Sequence, residues 1–323
     1  MDSSKKMNLL GQFLLFTATL AWGMSFLILK ETINEVPAFY VIALRFLFAG
    51  LVLFGVFFKK IKKLNRETFF AVVMIGLSVT AAYVTQTLGL MNTTPGRNAF
   101  VTSSYCVICP FLMWIMFKQK PKIYHLISAV LCLVGIGLIA LSGDSGTGEN
   151  LILGDGLTFI GAIFFAFQIV FIYKYQKKGL DNVLLLIFNF LTVGVLFIIL
   201  SLIFELPVRG IQGYALNASQ AWRIIYLAVM CTLYAQSAQL IGQQFTTANQ
   251  SAIILSLEAI FGVLFSVIFG TEKLSIILGV GFAVVFIAIL ISELNIDPKK
   301  LLKKRAKVYD KSSGSKGDEN GES

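Results

Sequence analysis

The chain has 323 residues, of which 57% are hydrophobic and only 14% are charged, and its formal net charge is +10. A soluble domain carries roughly a quarter charged residues, so this composition excludes an ordinary water-soluble globular protein. The 27 Lys and Arg residues lie in short clusters between apolar runs. These runs are about 20 residues long, which is enough to cross a bilayer, so the basic charge predicts membrane topology rather than nucleic-acid binding.

Ten apolar runs of spanning length follow one another along the chain, and they predict ten transmembrane helices. The first run is too long for the apolar region of a signal peptide and lacks a small-residue cleavage site. We therefore expect it to stay in the mature protein as the first helix. The runs cover residues 9–29, 38–58, 69–90, 98–117, 124–141, 156–173, 183–204, 222–242, 248–269 and 275–294.

Lysine and arginine are distributed unequally over the loops between these runs. With the N-terminus inside, 21 of them lie on the cytoplasmic side, five lie outside and Arg45 lies within a run. Short loops rich in Lys and Arg stay in the cytoplasm, so the pattern predicts that both termini are cytoplasmic. Residues 295–323 are polar and basic, and we expect them to form a disordered tail near anionic lipid headgroups.

An internal repeat divides the runs into two groups of five. At an offset of 153 residues, six identities fall where run three leads into run four and run eight into run nine. Because five crossings is an odd number, the second copy must enter the membrane the opposite way up. The identities pair Ala82 with Ala235, Gln86 with Gln239, Gly89 with Gly242, Thr93 with Thr246, Thr94 with Thr247 and Ala99 with Ala252.

The predicted fold is an all-α integral membrane protein, with ten transmembrane helices arranged as two inverted-topology five-helix repeats. A cytoplasmic N-terminus, 1–8, precedes the first repeat, 9–141. An external linker, 142–155, leads to the second repeat, 156–294, and the tail, 295–323, follows. Inverted repeats are typical of secondary transporters, because exchanging the conformations of the two halves opens one central site to opposite sides.

Two charged residues, Arg45 and Glu258, lie at membrane depth. A charge at the centre of a spanning helix costs at least about 2.5 kcal/mol, so such residues normally face a cavity or a partner. Glu258 is interpreted as an anion for a cationic or amine-bearing solute, as a proton-accepting carboxyl group, or as a buried group that fixes helix packing. For Arg45 the alternatives are binding of a substrate carboxylate and, favoured here, a structural pairing with Glu258 or a helix-end carbonyl.

Uncharged polar and aromatic residues within the runs are further candidates for a binding site. Amide and phenol groups at this depth need hydrogen-bond partners and suit a hydrated cavity, although some only join helices. Trp22 lies beside small residues, where its ring can serve as an apolar wall or lid. These candidates are Trp22, Tyr83, Gln86, Tyr105, Gln168, Asn189, Tyr234, Gln236 and Gln239.

Cysteine and histidine give little support for catalysis. Cys106, Cys109, Cys132 and Cys231 all lie in apolar runs, where Cys behaves as a small hydrophobe. His125 is the single histidine, which argues against zinc hydrolysis and Ser/His/Asp catalysis. We therefore expect no enzymatic activity, no metal and no cofactor. The expected partners are a small-molecule solute, membrane lipid and protons, but not nucleic acid.

Short motifs occur in a characteristic order from run one to run nine. They are Ala21-Trp22-Gly23 with Ser25-Phe26, Pro37 with Arg45, Tyr83-x-x-Gln86-x-x-Gly89-Leu90 leading into Thr93-Thr94, then Pro110, Leu257-Glu258 and Gly270-Thr-Glu272-Lys-Leu274. In this order the sequence resembles the drug/metabolite transporter superfamily, specifically its EamA-type ten-helix exporters, over residues 9–294. The resemblance implies a central cavity shared by two halves, export of a metabolite, amino acid or drug-like solute, and coupling to protons or exchange.

The leading hypothesis is a secondary transporter, with export as its direction. An organophosphate or nucleotide-sugar antiporter of the same superfamily is an alternative, but multiply anionic substrates require several cavity cations and only Arg45 lies at depth. A membrane enzyme would need clustered His, Asp or Glu at the membrane surface. A non-transporting scaffold or sensor is a third alternative. Lys outnumbers Arg 21 to 6, as in proteins of AT-rich genomes, and no organelle-targeting segment is visible. Both features favour a bacterial source, and we expect a multi-pass protein of the plasma (inner) membrane.

Overall fold

The computed structural model describes residues 3–141, 150–270 and 275–293, and its regular elements are helices. The predicted tail and most of the linker, 142–149, lie outside these residues, as does the motif segment 271–274. The α-helices are α1 (Ser3–Glu35), α2 (Ala38–Phe57), α3 (Arg66–Met91), α4 (Pro95–Thr102), α5 (Tyr105–Phe117), α6 (Ile123–Leu141), α7 (Leu151–Lys177), α8 (Asn182–Leu200), α9 (Leu206–Arg209), α10 (Ala218–Tyr226), α11 (Ala235–Gln244), α12 (Ala248–Ser256), α13 (Glu258–Ile268) and α14 (Ile276–Glu293).

Several of these helices join into longer apolar segments. α8 continues through a π-helical turn, Ser201–Glu205, into α9, and α10 continues through a second one, Leu227–Tyr234, into α11. Among the described residues, seven helices are long and apolar enough to cross a membrane and three shorter ones are also apolar. The seven are Lys5–Glu35, Ala38–Ile61, Arg66–Met91, Pro95–Phe117, Leu151–Lys177, Asn182–Arg209 and Ala218–Gln244, and the shorter ones are Ile123–Ile139, Ile254–Ile268 and Ile276–Ile291.

Polar caps set where several helices begin. Asn65 accepts a hydrogen bond from the backbone N–H of Thr68 at the start of α3, and Thr94 caps α4 ahead of Pro95. Asn150 caps α7, so this helix begins at Leu151 rather than at residue 156, the boundary predicted from hydrophobicity. Hydrophobic runs locate the lipid-crossing part of a helix, whereas a cap determines the actual end.

Helices α2 and α8 approach closely through a reciprocal glycine contact. A methyl group added at Gly50 would lie 2.8 Å from Cδ2 of Leu191, and one added at Gly194 would lie 2.8 Å from Cδ2 of Leu47. Both the two glycines and the two leucines are 144 positions apart. The two helices therefore present the same pair of residues to each other.

Helices α6 and α14 make a second reciprocal contact. A methyl group at Gly135 would lie 3.1 Å from the carbonyl oxygen of Gly281, and one at Gly281 would lie 3.2 Å from that of Gly135. Such distances leave no room for a side chain, so both positions require glycine for the present helix spacing. The contact again maps onto itself when the two helices are exchanged.

Two apolar clusters fill the bundle. In the first, Phe46 of α2 makes edge-to-face contacts with Tyr83 of α3 and Phe190 of α8, at centroid distances of 5.2 and 5.8 Å. The second joins α4, α5, α6, α12 and α14 and is supplemented by several partly buried side chains. Trp22 and Phe165 pack against both clusters, so α1 and α7 lie where the clusters meet.

Candidate functional site

A cavity of about 550 Å³, including the space at its opening, lies between the two apolar clusters. Nine of the eleven residues proposed from the sequence line it, and fourteen of its sixteen lining residues are buried. The lining consists of Trp22, Ser25, Phe26 and Leu29 of α1, Arg45 of α2, Tyr83 and Gln86 of α3, Thr102 of α4, Tyr105 of α5, Phe165, Gln168 and Ile169 of α7, Gln236 and Gln239 of α11, Leu255 of α12 and Glu258 of α13.

Arg45 brings a cation into this cavity. Its side chain is 1% exposed, and its Nε donates a hydrogen bond of 2.6 Å to Oγ1 of Thr232. Its Nη2 has no hydrogen-bond partner among the described residues. The guanidinium carbon lies 5.3 Å from the ring centroid of Tyr83 and 5.6 Å from that of Phe46. Aromatic faces attract a cation but leave its N–H groups unsatisfied, so Arg45 is held in place with donor capacity to spare.

Glu258 brings an acidic group into the same lining. It is 5% exposed and is the first residue of α13, immediately after the break at Leu257. The hydroxyl group of Tyr105 lies next to the Glu258 carboxyl group. Among the described residues this hydroxyl has no partner within ordinary hydrogen-bond geometry. The ion pairs of the described part of the chain do not join Arg45 to Glu258 within 4.0 Å. The two charged groups therefore face the cavity separately.

A short series of hydrogen bonds connects the amide side chains of the lining. Nε2 of Gln236 donates to the Tyr83 hydroxyl at 3.2 Å, and Nε2 of Gln168 donates to Oε1 of Gln236 at 3.4 Å. Nε2 of Gln86 donates to Oγ1 of Thr102 at 3.0 Å. These contacts link α3 to α4, and α7 to α11 and α3, across the cavity. They give the wall both donors and acceptors that a polar solute can use.

Trp22 is fixed by the π-helical turn between α10 and α11. Its indole Nε1 donates a hydrogen bond of 2.8 Å to the carbonyl oxygen of Cys231, which lies in that turn. Sγ of Cys231 in turn donates to the carbonyl oxygen of Ala21 at 3.3 Å. A π-helical turn disturbs the ordinary i→i−4 ladder, which leaves such backbone groups available to other helices. The Trp22 ring is thus an oriented wall of the cavity.

All but two of the sixteen lining residues, Leu29 and Arg45, fall into pairs with constant sequence separations. Three pairs join α1 to α7 at 143 residues, and four join α3, α4 and α5 to α11, α12 and α13 at 153 residues. Each half of the chain therefore contributes the same positions to the wall. The pairs are Trp22 with Phe165, Ser25 with Gln168, Phe26 with Ile169, Tyr83 with Gln236, Gln86 with Gln239, Thr102 with Leu255 and Tyr105 with Glu258.

Helix breaks at equivalent positions place the last of these pairs. α5 begins at Tyr105 after the turn at Ser104, and α13 begins at Glu258 after Leu257. Ser104 and Leu257 are also 153 residues apart. Each break reorients the helix that follows it, so that its first side chain points into the cavity.

Two residues proposed from the sequence do not line the cavity. Asn189 is buried on α8, 144 positions after Arg45, and its Oδ1 has no hydrogen-bond partner among the described residues. Tyr234 is 39% exposed, and its hydroxyl donates to Oγ1 of Thr17 at 2.8 Å. The π-helical turn ends at Tyr234, so this side chain is rotated away from the face that a regular α-helix would give it.

The sequence reasoning missed seven lining residues. Most of them are apolar, and an apolar side chain in an apolar helix carries no mark of the cavity it faces. The constant separations would have found two of them, Ser25 and Phe165, from their proposed partners Gln168 and Trp22. The missed residues are Ser25, Phe26, Leu29, Thr102, Phe165, Ile169 and Leu255.

Known proteins resemble this chain over most of its length. Residues 9–141 and 152–294 each match the EamA-like transporter family. An uncharacterized transporter of Archaeoglobus fulgidus is 29% identical over 277 residues, which are 86% of this chain and 83% of the relative. The uncharacterized transporter YvbV of Bacillus subtilis is 23% identical over 190 residues, 58% of this chain and 61% of the relative.

The fold also matches a solved structure. A protein crystal structure superposes on the chain with a TM-score of 0.64 at 15% identity, covering 88% of this chain and 96% of the other. The family matches together span more than half of the sequence, and the helices are apolar enough to cross a membrane several times. The chain is therefore a multi-pass membrane transporter rather than an enzyme, and it belongs to the EamA-like transporter family of the drug/metabolite transporter superfamily.

Proposed function

We propose that the chain is a secondary transporter that exports a small metabolite, amino acid or drug-like solute from a bacterial cell by alternating access, coupled to protons or to exchange. The observation that carries the proposal is the cavity between the two apolar clusters, whose lining pairs one half of the chain with the other. A site shared by two repeats suits alternating access, because exchanging their conformations opens it to opposite sides.

The proposed topology has ten transmembrane helices in two inverted five-helix repeats, with both termini in the cytoplasm of a bacterium. Seven long and three shorter apolar helices support the count, and the family match at 9–141 and again at 152–294 supports the repeat. The reciprocal glycine contacts of α2 with α8 and of α6 with α14 fit a pseudo-twofold axis. The excess of Lys and Arg on one side supports the orientation.

Arg45 supports a solute that carries one anionic group. A buried charge without a counter-ion lowers the stability of a protein by roughly several kcal/mol. A guanidinium group without a carboxylate partner therefore favours the entry of an anion. A carboxylate would satisfy the free Nη2 donor of Arg45 with a charge-assisted hydrogen bond. The rings of Trp22, Phe26 and Phe165 would enclose an apolar body. Arg45 is the single cation in the lining formed by the described residues, which disfavours organophosphates and nucleotide sugars, because these carry several negative charges.

Glu258 is the proposed coupling or amine-binding group. Its carboxyl lies in the same cavity as Arg45 but is not ion-paired with it within 4.0 Å. In its charged form it would bind an ammonium group of the solute. In its neutral form it would hold a proton, which it would release on the other side of the membrane during the transport cycle. Both roles require the direct access to the cavity that its place in the lining provides.

The first test is ligand binding to the purified full-length protein. Thermal stabilisation is measured with a panel of monocarboxylates, amino acids, amines, nucleosides and cationic drugs, for wild type and for Arg45→Gln and Glu258→Gln. We expect a solute with one anionic group to stabilise the wild type and to lose its effect in Arg45→Gln. Tyr234→Phe removes a hydroxyl outside the cavity and is the matched control, which should bind as the wild type does.

The second test is flux of the same solute in proteoliposomes. Counterflow that is present in the wild type and in Tyr234→Phe but absent in Arg45→Gln supports transport through this cavity. A solute that stabilises Arg45→Gln as well as the wild type would exclude Arg45 as its ligand. Binding without any flux under a proton gradient or in exchange would favour the scaffold or sensor alternative instead.

A further inference from the structure

A buried ion pair lies outside the cavity lining, where the turn between α3 and α4 meets the start of α7. Nη2 of Arg97 lies 2.5 Å from Oδ2 of Asp155, and the two side chains are only 3% and 1% exposed. Nε of Arg97 also donates to Oδ1 of the same carboxylate at 3.4 Å, so the ion pair is bidentate. Arg97 directly precedes the predicted run 98–117 and is one of the five basic residues expected outside, and its side chain is buried.

Neutral groups extend this ion pair into a network. Oγ1 of Thr93 donates to Oδ1 of Asp155 at 2.9 Å, and Nδ2 of Asn98 donates to Oγ1 of Thr158 at 2.6 Å. The network ties both sides of the α3–α4 turn to the first two turns of α7. We refer to these residues as the outer latch, which comprises Thr93, Arg97, Asn98, Asp155 and Thr158.

The corresponding positions of the second half carry no charge. The separations of 153 and 143 residues that relate the cavity lining relate Arg97 to Gln250 and Asp155 to Gln12. The α3–α4 turn corresponds to the turn between α11 and α12, and the start of α7 corresponds to the first part of α1. The sequence thus has two charged residues at these positions in one half and two neutral ones in the other.

The corresponding contact, between α1 and α11, is closed by backbone and neutral groups. A methyl group at Gly11 would lie 2.9 Å from the carbonyl oxygen of Gly242, so α1 and α11 touch along their backbones. Nδ2 of Asn8 donates to the carbonyl oxygen of Phe245 at 2.9 Å. We refer to this contact as the inner latch, which comprises Asn8, Gly11, Gln12, Gly242 and Phe245.

We propose that the Arg97–Asp155 ion pair locks the external gate, and that the difference in charge between the two latches biases the carrier toward states closed to the outside. The inference rests on the proposed alternating-access function and topology, in which the outer latch faces outward. Outward opening must separate α7 from the α3–α4 turn and break the ion pair. Inward opening separates α1 from α11, and among the described residues that contact contains no ion pair.

The test measures access to the cavity from each side of the membrane without any substrate. Thr102, a lining residue, is replaced by cysteine in a protein whose four native cysteines are changed to alanine. A membrane-impermeant methanethiosulfonate is applied to right-side-out and to inside-out vesicles. Removing one member of a buried pair leaves an uncompensated charge, so Asp155→Asn should raise the external labelling rate about tenfold, equivalent to about 1.4 kcal/mol. The internal rate should not rise.

Two variants serve as controls on the charge. The double variant Arg97→Gln with Asp155→Gln gives the outer latch the glutamines of the corresponding positions and leaves no charge unpaired, so its external rate should rise less than that of Asp155→Asn. Asp181→Asn removes a carboxylate from a partly exposed ion pair with Lys60 elsewhere on the protein, and both its labelling rates should stay at the parent value.

Three results would overturn the lock. Unchanged external labelling in a folded Asp155→Asn protein would make the pair a static packing contact. Equal increases from both sides would indicate a loosened fold, and a rise confined to the inside would reverse the proposed bias. If Asp155→Asn does not accumulate, the double variant carries the same test. Because no solute is added, failure here is distinguishable from failure of the proposed transport, which appears as absent flux with normal accessibility.

Discussion

Replacement of Thr232 by valine is expected to destabilise the protein through Arg45. Thr232 has two hydrogen bonds, one accepted from Nε of Arg45 at 2.6 Å and one donated to the carbonyl oxygen of Leu227 at 3.1 Å. Valine has nearly the same shape, so packing changes little while both bonds are lost. The bond to Arg45 involves a charged donor and contributes about 1.5–3 kcal/mol, since its loss leaves Nε and Nη2 both buried and unsatisfied.

The matched control is Thr80→Val. Thr80 is also buried on a helix, and its Oγ1 donates to the carbonyl oxygen of Gly76 at 2.8 Å, a bond within its own helix like that of Thr232 to Leu227. The free energy of unfolding is measured by SDS titration in mixed micelles with circular dichroism. We expect Thr232→Val to lose about 1.5–3 kcal/mol more than Thr80→Val. Losses equal within about 0.5 kcal/mol, the usual range of neutral substitutions, would refute the proposed dependence of Arg45 on Thr232.

Two further predictions concern packing and pH. The free energy of unfolding of Gly242→Ala should be about 1–3 kcal/mol lower than that of Gly55→Ala. The methyl group at position 242 would lie 2.8 Å from the Gly11 carbonyl oxygen, whereas Gly55 faces open space. Equal values in the same SDS titration would contradict this prediction. Partial burial acts to raise the pKa of Asp181, but hydrogen bonds from Lys60 and the backbone lower it below 3.8. A lowered pKa stabilises the fold above the unfolded-state value, so Asp181→Asn should cost a small amount at pH 7 and progressively less as the pH falls below about 4.

The apolar runs predicted most of the helical architecture because a helix that crosses a bilayer needs about 20 predominantly apolar residues in succession. Helix ends were predicted less well, as Asn150 shows, since a single cap decides where a helix begins. The polar part of the cavity was also predictable. Groups such as Gln168 and Gln236 are costly in lipid, so their presence in an apolar run indicates a partner or a cavity.

The remaining features depend on contacts between distant parts of the chain. Arg97 could not be assigned a partner because Asp155 lies 58 positions further on, beyond the first five helices. Phe165 and Ile169 look like any other apolar residues of a spanning helix until their separations from Trp22 and Phe26 are compared. Tyr234 was proposed for the cavity because the sequence does not reveal the π-helical turn that rotates it outward.

That turn also constrains how the gene can change. The segment Ala218–Gln244 has 27 residues, one more than its counterpart Arg66–Met91, and a π-helical turn is the way a helix accommodates one additional residue. Deleting one residue between Leu227 and Tyr234 would remove the additional residue and restore regular α-helical geometry, while the residues after it would keep their rotation relative to α10. Tyr83 and Gln86 occupy the equivalent places on α3, which is a regular α-helix, so Gln236 and Gln239 should stay in the cavity wall. The carbonyl oxygen of Cys231 would instead accept a hydrogen bond within its own helix, and the deletion should release the Trp22 ring from its fixed orientation.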